Sequence, residues 1–207
     1  MPTADQRPRL TASERRAQLI ETGRSLFAEK GYEATSMEEI AERARISKPI
    51  VYEHFGGKEG LYAVVVDREM ESIVTRVSEA ISAGSPRQRL ERAALAFLRY
   101  VEESPQGFAV LLRDTPADPV SGAMTGLLNE FADRVEAIFT SEFRKAGFDA
   151  STAPIYAHAL VGMVSFVGRW WTGSRTLGVE KVAAHVAALA WMGLRHLPEN
   201  PELDPSS

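Results

Sequence analysis

Residues 35–58 read Thr-Ser-Met-Glu-Glu-Ile-Ala-Glu-Arg-Ala-Arg-Ile-Ser-Lys-Pro-Ile-Val-Tyr-Glu-His-Phe-Gly-Gly-Lys, and they decide the fold. Two short helices joined by a tight turn fit this stretch. Thr35 and Ser36 stand before the first, with Glu38 and Glu39 three residues after each, so either pair can form a capping box. Ile40, Ala41 and Ala44 recur at helical spacing, and Ala41 is small enough for a second helix to cross closely. Ala44-Arg45-Ile46 makes the turn. Ser47 can cap the second helix, and Pro49 falls in its first turn, where no N–H is needed. Val51 and Phe55 lie four apart and face inward; Gly56-Gly57 ends the helix.

That register turns Lys48, Ile50, Tyr52 and His54 outward. A helix-turn-helix sets its second helix in the DNA major groove. There Lys48 and Tyr52 reach phosphates, while Ile50 and the Pro49 ring touch thymine methyls. The plain alternative is a helical hairpin with a wet polar face, and spacing alone does not separate the two.

The flanks do. Phe27-Ala28-Glu29-Lys30-Gly31-Tyr32-Glu33-Ala34-Thr35-Ser36, then Ile40-Ala41, Ser47-Lys48, Tyr52-Glu53-His54-Phe55 and Lys58-Glu59-Gly60-Leu61, closely resemble the N-terminal domain of the TetR family of transcriptional regulators, over about Arg15 to Tyr62. The resemblance implies a three-helix DNA-binding domain, then an all-helical ligand-binding and dimerisation domain. It implies Ser47, Lys48, Pro49, Ile50, Tyr52 and His54 as the reading surface, with Thr35, Ser36 and Lys58 on phosphates. Two positions depart from the family pattern. Gly57 stands where many relatives carry a capping serine or asparagine, and glycine is the weaker cap. Pro49 stands where glycine is common, which alters the base edge touched.

Working outward, residues 1–10 carry two prolines and no apolar pattern, and read as a flexible arm with Arg7 and Arg9 near the DNA backbone or simply in solvent. Thr11 or Ser13 caps a first helix with Ala17, Ile20, Leu26 and Phe27 inward, Phe27 packing on Val51 and Phe55, and Gly31 closing it. Residues 11–57 form the DNA-binding domain. A fourth helix runs from Lys58 to about Ala83 and continues into the next domain, so it can carry movement from a ligand pocket to the reader. Further helices span about Arg87–Glu103, Pro105–Leu112, Ser121–Ala146, Ser151–Thr172 and Val179–Leu197; a breaker-rich loop covers 114–119. Residues 58–197 make the effector-binding and dimerisation domain, and 198–207 a disordered tail. The expected class is all-α, with nine helices and no strand alternation.

Composition sets outer bounds. The 207 residues hold no cysteine, which excludes disulfides and thiolate metal sites. No apolar run approaches a bilayer span and no signal peptide precedes the first helix, so the expectation is a cytoplasmic chain with no membrane partner. Net charge is −4. Residues 1–58 hold ten Lys/Arg against nine Asp/Glu; the rest hold fourteen against nineteen. Specific binding therefore rests on a few placed contacts rather than a large positive field. The four histidines His54, His158, His185 and His196 form no metal motif, and no nucleophile elbow or phosphate-cradling loop occurs, so no catalytic residue, metal or cofactor is expected. His158 and His185 could approach across a helix pair, but satisfied polar side chains are the simpler account.

Two further expectations concern the second domain. A homodimer is expected from the last two long helices: Ala157, Gly162, Ser165 and Gly168 allow close approach on one, and Val182, Val186, Leu189, Ala190 and Leu194 form a stripe on the other. One short helix reads few bases, so two-fold symmetry and a palindromic double-stranded operator follow. A small apolar effector is implied by the family resemblance, lined by Phe97, Leu98, Val101, Phe108, Leu111 and Leu112 and by Met163, Phe166, Val167 and Trp170, with Arg113 and Arg169 near the mouth. Trp170 and Trp171 point about 100° apart on a helix, so one core does not easily absorb both. Around Gln106-Gly107-Phe108, Ala159–Met163 and Arg169-Trp170-Trp171 the chain resembles actinobacterial TetR-type regulators of lipid metabolism. That favours an acyl-CoA or fatty acid effector over a polar or cationic drug. A repressor released by ligand is the default expectation; an activator of lipid genes and a multidrug-responsive repressor are the alternatives.

Overall fold

The first helix shows how local chemistry sets the boundaries. Thr11 accepts from the Glu14 N–H while the Glu14 carboxylate reaches back to the Thr11 N–H at 2.7 Å, a complete capping box. Helix α1 then runs Ala12–Lys30, and buries Leu19, Ile20, Leu26 and Phe27. A computed structural model describes residues 10–112, 123–198 and 201, and in these the chain forms nine α-helices and no strand. The expected arm with Arg7 and Arg9, the 114–119 loop with Arg113, and all of the expected tail except Pro198 and Pro201 lie outside the described residues.

Helix α2 is Met37–Ala44 and α3 is Lys48–Phe55. Ser36, not Thr35, caps α2, accepting from the Glu39 N–H at 3.2 Å. The turn closes on Arg45 in the left-handed region at φ 56°. Ser47 makes no side-chain cap, which corrects that expectation; Pro49 in the first turn supplies the fixed φ instead. Gly56, at φ 73°, ends α3 where an L side chain would be strained. Phe27 stacks its ring edge-on against Tyr62 at 5.0 Å and parallel to Tyr32 at 6.2 Å, while the Arg16 guanidinium lies over the Phe55 ring. This aromatic knot fixes α1 against the start of α4.

Helix α4, Lys58–Ala80, is shared by both halves. Its Leu61, Tyr62, Val65 and Val66 sit in the core with α1, and Ile73 continues that core into the second half. Helix α5, Pro86–Glu103, starts at a Ser85–Gln88 capping box; α6 is Pro105–Leu112 and α7 Ala123–Ala146. A single 3-10 turn at Ala150–Thr152 leads into α8, Ala153–Ser174, and α9 is Val179–Arg195. Helices α4 and α5 are the centre: α9 packs along α5, and α8 lies between α7 and α5. At Gly168 a Cβ would stand 2.9 Å from the Phe97 ring, so α8 crosses α5 at backbone distance there.

Candidate DNA-reading head and effector cavity

On α3 only Val51 is fully buried, so the remaining turns face outward or lie at the edge. Ser47, Lys48, Pro49 and Tyr52 are exposed, and Ile50 and His54 half-buried. None of these six lies in the core. Lys48 Nζ is ion-paired with Glu38 of α2 and lies 5.7 Å from the Tyr52 ring centroid. The hydrogen bond from Lys48 holds the Glu38 carboxyl below its ordinary range, and the same bond raises Lys48. Both groups are exposed, so the pair is weakly held and a phosphate can replace the carboxylate. Sequence spacing did not single out Glu38 as that partner, nor Arg45, an exposed cation three residues before the reading helix.

Two of the expected phosphate contacts are placed otherwise. Thr35 is 2% exposed; its hydroxyl donates to the Gly31 carbonyl at 2.7 Å, so it pins the α1–α2 turn and its side chain is shut off from a phosphate. Lys58 Nζ donates to the carbonyls of Tyr32 and Glu33 at 2.9 and 3.4 Å and lies over the Tyr32 ring at 4.3 Å. In this arrangement it braces α4 against the same turn. Ser36 is exposed and stands where expected.

The cavity of the second half lies between α4, α5, α7 and α8. It is a half-open cleft with a cavity volume of about 100 Å³. Its walls are apolar: Val77 from α4 and Ile81 just past its end, Leu90, Ala94 and Phe97 from α5, Phe131 and Val135 from α7, and Leu160, Val161 and Val164 from α8. The polar lining is Ser78, Ser165 and Arg134, whose guanidinium donates to Ser78 Oγ and to Glu130, each at 2.7 Å.

Of the expected lining, Phe97 alone reaches this space. Leu98, Val101, Phe108 and Leu111 are at most 1% exposed and fill the core. Leu112, Met163 and Val167 are half-buried and pack on that core. Phe166 and Trp170 point away, 76% and 56% exposed. The reason is register. Ala157, Val161, Val164, Gly168 and Trp171 recur at helical spacing and form the inner face of α8, which leaves Ile155, Phe166 and Trp170 outside. That period is legible in the sequence. Trp171 is 1% exposed and donates its indole N–H to the Leu177 carbonyl at 2.9 Å, so the two tryptophans do part, one inward and one outward. Arg169 is exposed, and the arginine on the cavity wall is Arg134.

The outward faces of α8 and α9 carry large apolar side chains. Ile155, Phe166, Trp170, Leu189 and Met192 are each 56% exposed or more. The α9 stripe is split: Val182, Val186 and Ala190 are core, while Leu189 is turned out. Residues 150–174 also correct the expectation about bilayer spans, since their length and mean hydropathy of 1.3 suit one by composition, and 11% of the apolar window is buried. Among the described residues no three His, Cys, Asp or Glu side chains gather as metal ligands. His158 and His185 are both exposed, and His158 Nδ1 lies 2.9 Å from the Pro154 carbonyl.

Comparison with known proteins gives the relatives of this architecture. Residues 19–65 match the model described as bacterial regulatory proteins, tetR family, and residues 83–194 that of a tetracyclin repressor-like C-terminal domain. The chain is 33% identical over 193 residues to the HTH-type transcriptional activator FasR of Mycolicibacterium smegmatis, covering 92% of this chain and 87% of that one. A TetR-like transcriptional regulator from Rhodococcus sp. RHA1 superimposes with TM-score 0.74 at 29% identity, over 91% of this chain and all of the other. AibR, solved in complex with isovaleryl coenzyme A and operator DNA, has the same fold at 24% identity, TM-score 0.70, over 85% and 97% of the two chains. With a helix-turn-helix head, a nine-helix frame and matches along nearly its whole length, the chain belongs to the TetR family of bacterial transcriptional regulators.

Proposed function

We propose that this regulator acts in the cytoplasm as a homodimer on a palindromic double-stranded operator, and that an acyl-CoA or fatty acid controls it through the α4–α5–α7–α8 cavity. The observation that carries the effector class is the cavity lining, apolar on every wall with one arginine. Such a space suits a hydrocarbon chain, and Arg134 suits the anionic head, exchanging its Ser78 and Glu130 contacts for a carboxylate or phosphate. Among the described residues the lining offers a polycation no carboxylate, and Glu130 is already paired with Arg134. The complex of AibR with an acyl-CoA supports the same class.

The dimer reading draws on the outward α8–α9 face. Five large apolar side chains on two adjacent helices form a patch that a monomer in water leaves unfavourably wetted. A two-fold four-helix bundle covers it with an identical patch and brings two α3 helices to one duplex. This account uses no membrane, because the apolar side of α8 is covered by the partner. On DNA, Ser36, Ser47, Lys48, Pro49, Ile50, Tyr52 and His54 are the contacts, with Arg45 beside them.

Ligand control requires that the effector prefer one of two arrangements of the reading heads. Repression relieved by effector is one outcome; the likeness to an activator over 92% of the chain favours activation of lipid genes as the second reading. The test follows Trp fluorescence and operator release against acyl-CoAs of increasing chain length. Chain-length-dependent release or tightening is expected. Indifference to chain length, or release by cationic dyes alone, contradicts the lipid reading.

A further inference from the structure

A buried carboxylate lies between the two halves. Glu69 of α4 is 9% exposed and is held from α5, from α1 and from Ser104 between α5 and α6. Tyr100 of α5 donates its hydroxyl to Glu69 Oε2 at 2.5 Å, and Ser104 donates to the same oxygen at 3.3 Å. From α1, in the reading head, the Arg24 Nη1 lies 3.6 Å from Glu69 Oε1 and donates to Ser104 Oγ at 3.0 Å. From α6, Gly107 leaves the room: a Cβ there would stand 2.0 Å from Glu69 Oε2. Burial first, and the bond to Glu69 second, push the Tyr100 hydroxyl far above its ordinary range, so it stays a donor.

The position of this cluster matters as much as its bonds. Phe97, on the cavity wall, precedes Tyr100 by one turn of α5. Val77, also on the wall, follows Glu69 by about 12 Å of α4 at 1.5 Å per residue. Arg24 belongs to the helix that carries the aromatic knot behind the reading head. Its Nη2 is also paired with Glu21 of the same helix at 2.6 Å, while its Nε is buried with no hydrogen-bond partner among the described residues.

We propose that Glu69 is the positioning residue through which the cavity sets the angle of the DNA-reading head, with Tyr100 reporting the state of α5 and Arg24 passing it to α1. Filling the cavity displaces Phe97 and turns α5. Tyr100 and Ser104 move with it, the carboxylate follows, and Arg24 carries α1 and the aromatic knot. The bistable element is the carboxylate's set of partners, and the bond most exposed to that movement is Tyr100 to Glu69.

The inference rests on reading the cavity as an effector site, and its test needs no effector. Ala94 is 2% exposed on the cavity wall, so Ala94→Leu fills the space from within; Val164→Phe is a second filler from α8. Operator affinity is measured for full-length protein, with the duplex selected from a randomised pool by the wild-type chain and active protein counted by stoichiometric titration. In the wild-type background each filler is expected to change Kd at least fivefold. In Tyr100→Phe, and in Glu69→Gln, the same filler is expected to change it less than twofold. Because active protein is counted for each variant, loss of folded protein does not enter the Kd. Tyr100→Phe removes one oxygen and carries the cycle if Glu69→Gln does not fold. An equal change in both backgrounds overturns the role of Glu69 and leaves the effector cavity standing. Fillers without effect in the wild-type background overturn the effector reading and this proposal together.

Discussion

Helices α3 and α8 both turn large side chains to solvent, and they do so with opposite chemistry. On α3 the outward side chains are Lys48, Pro49, Tyr52 and Glu53, with Arg45 ahead of the helix. On α8 the large apolar ones are Ile155, Phe166 and Trp170, beside His158 and Arg169. A lysine beside an aromatic ring is comfortable in water and gains from a phosphate. A phenylalanine at 76% exposure gains only from another apolar surface. The comparison teaches that exposure alone names no partner; the chemistry of what is exposed does. One face suits a polyanion and the other a copy of itself.

The comparison breaks most sharply at the apolar face. Phe166→Asp with Leu189→Asp places four charges in the proposed bundle of two copies. Burial of each large apolar side chain is worth about 1.5–3 kcal/mol, so the dimer constant should weaken more than about 100-fold. Sedimentation equilibrium reads this, and unchanged mass would move the interface elsewhere. Leu98 is the control from the same domain: it is fully buried, so Leu98→Ala should lower unfolding free energy by about 2–5 kcal/mol in denaturant titration, against about 0.5 kcal/mol or less for Phe166→Ala within a protomer.

The polar face is sharpened next. Lys48→Ala with Tyr52→Ala should reduce operator affinity about 100-fold, at 1–3 kcal/mol per lost contact, and flatten the salt slope by about one unit per phosphate released. Lys58→Ala should behave differently, because its ammonium is occupied by the carbonyls of Tyr32 and Glu33. It should lower stability by about 1.5–3 kcal/mol as a charge-assisted bond, and a full unit of salt slope lost with Lys58→Ala would return it to the phosphate. The smallest pair concerns caps. Ser36→Ala should destabilise by about 1 kcal/mol, since its oxygen holds the Glu39 N–H. Ser47→Ala, with no capping bond to lose, should change thermal stability by less than about 0.5 kcal/mol while weakening DNA binding.

The two regions also differ in how far their sequence could be read. In the head, caps, glycines and a short turn are local signals, so helix order, the Gly56 terminus and the outward face of α3 followed from neighbours in the chain. What failed there was tertiary: Thr35 bonds back to Gly31, and Lys58 reaches carbonyls more than twenty residues away. In the second domain the helices were found but the cavity was not. Its walls come from four helices, and α7 contributes Phe131, Arg134 and Val135, which carry no motif. Apolar residues of α5 and α6 were assigned to the cavity because composition cannot distinguish a core from a lining. The period on α8 could have done so, since Ala157, Val161, Val164 and Gly168 mark one face. Glu69 lay within an ordinary amphipathic helix, and nothing in its neighbours announced a buried carboxylate.

In the proposed assembly the two faces act together: a dimer made by the apolar one presents two copies of the polar one, under control of an acyl chain. Sedimentation velocity of the full chain with a labelled operator duplex, with and without palmitoyl-CoA, reads both at once. An even number of protomers on each duplex is expected, with a redistribution between bound and free DNA when the acyl-CoA is added. A single protomer on the duplex, with a profile unmoved by acyl-CoA of any length, would contradict it.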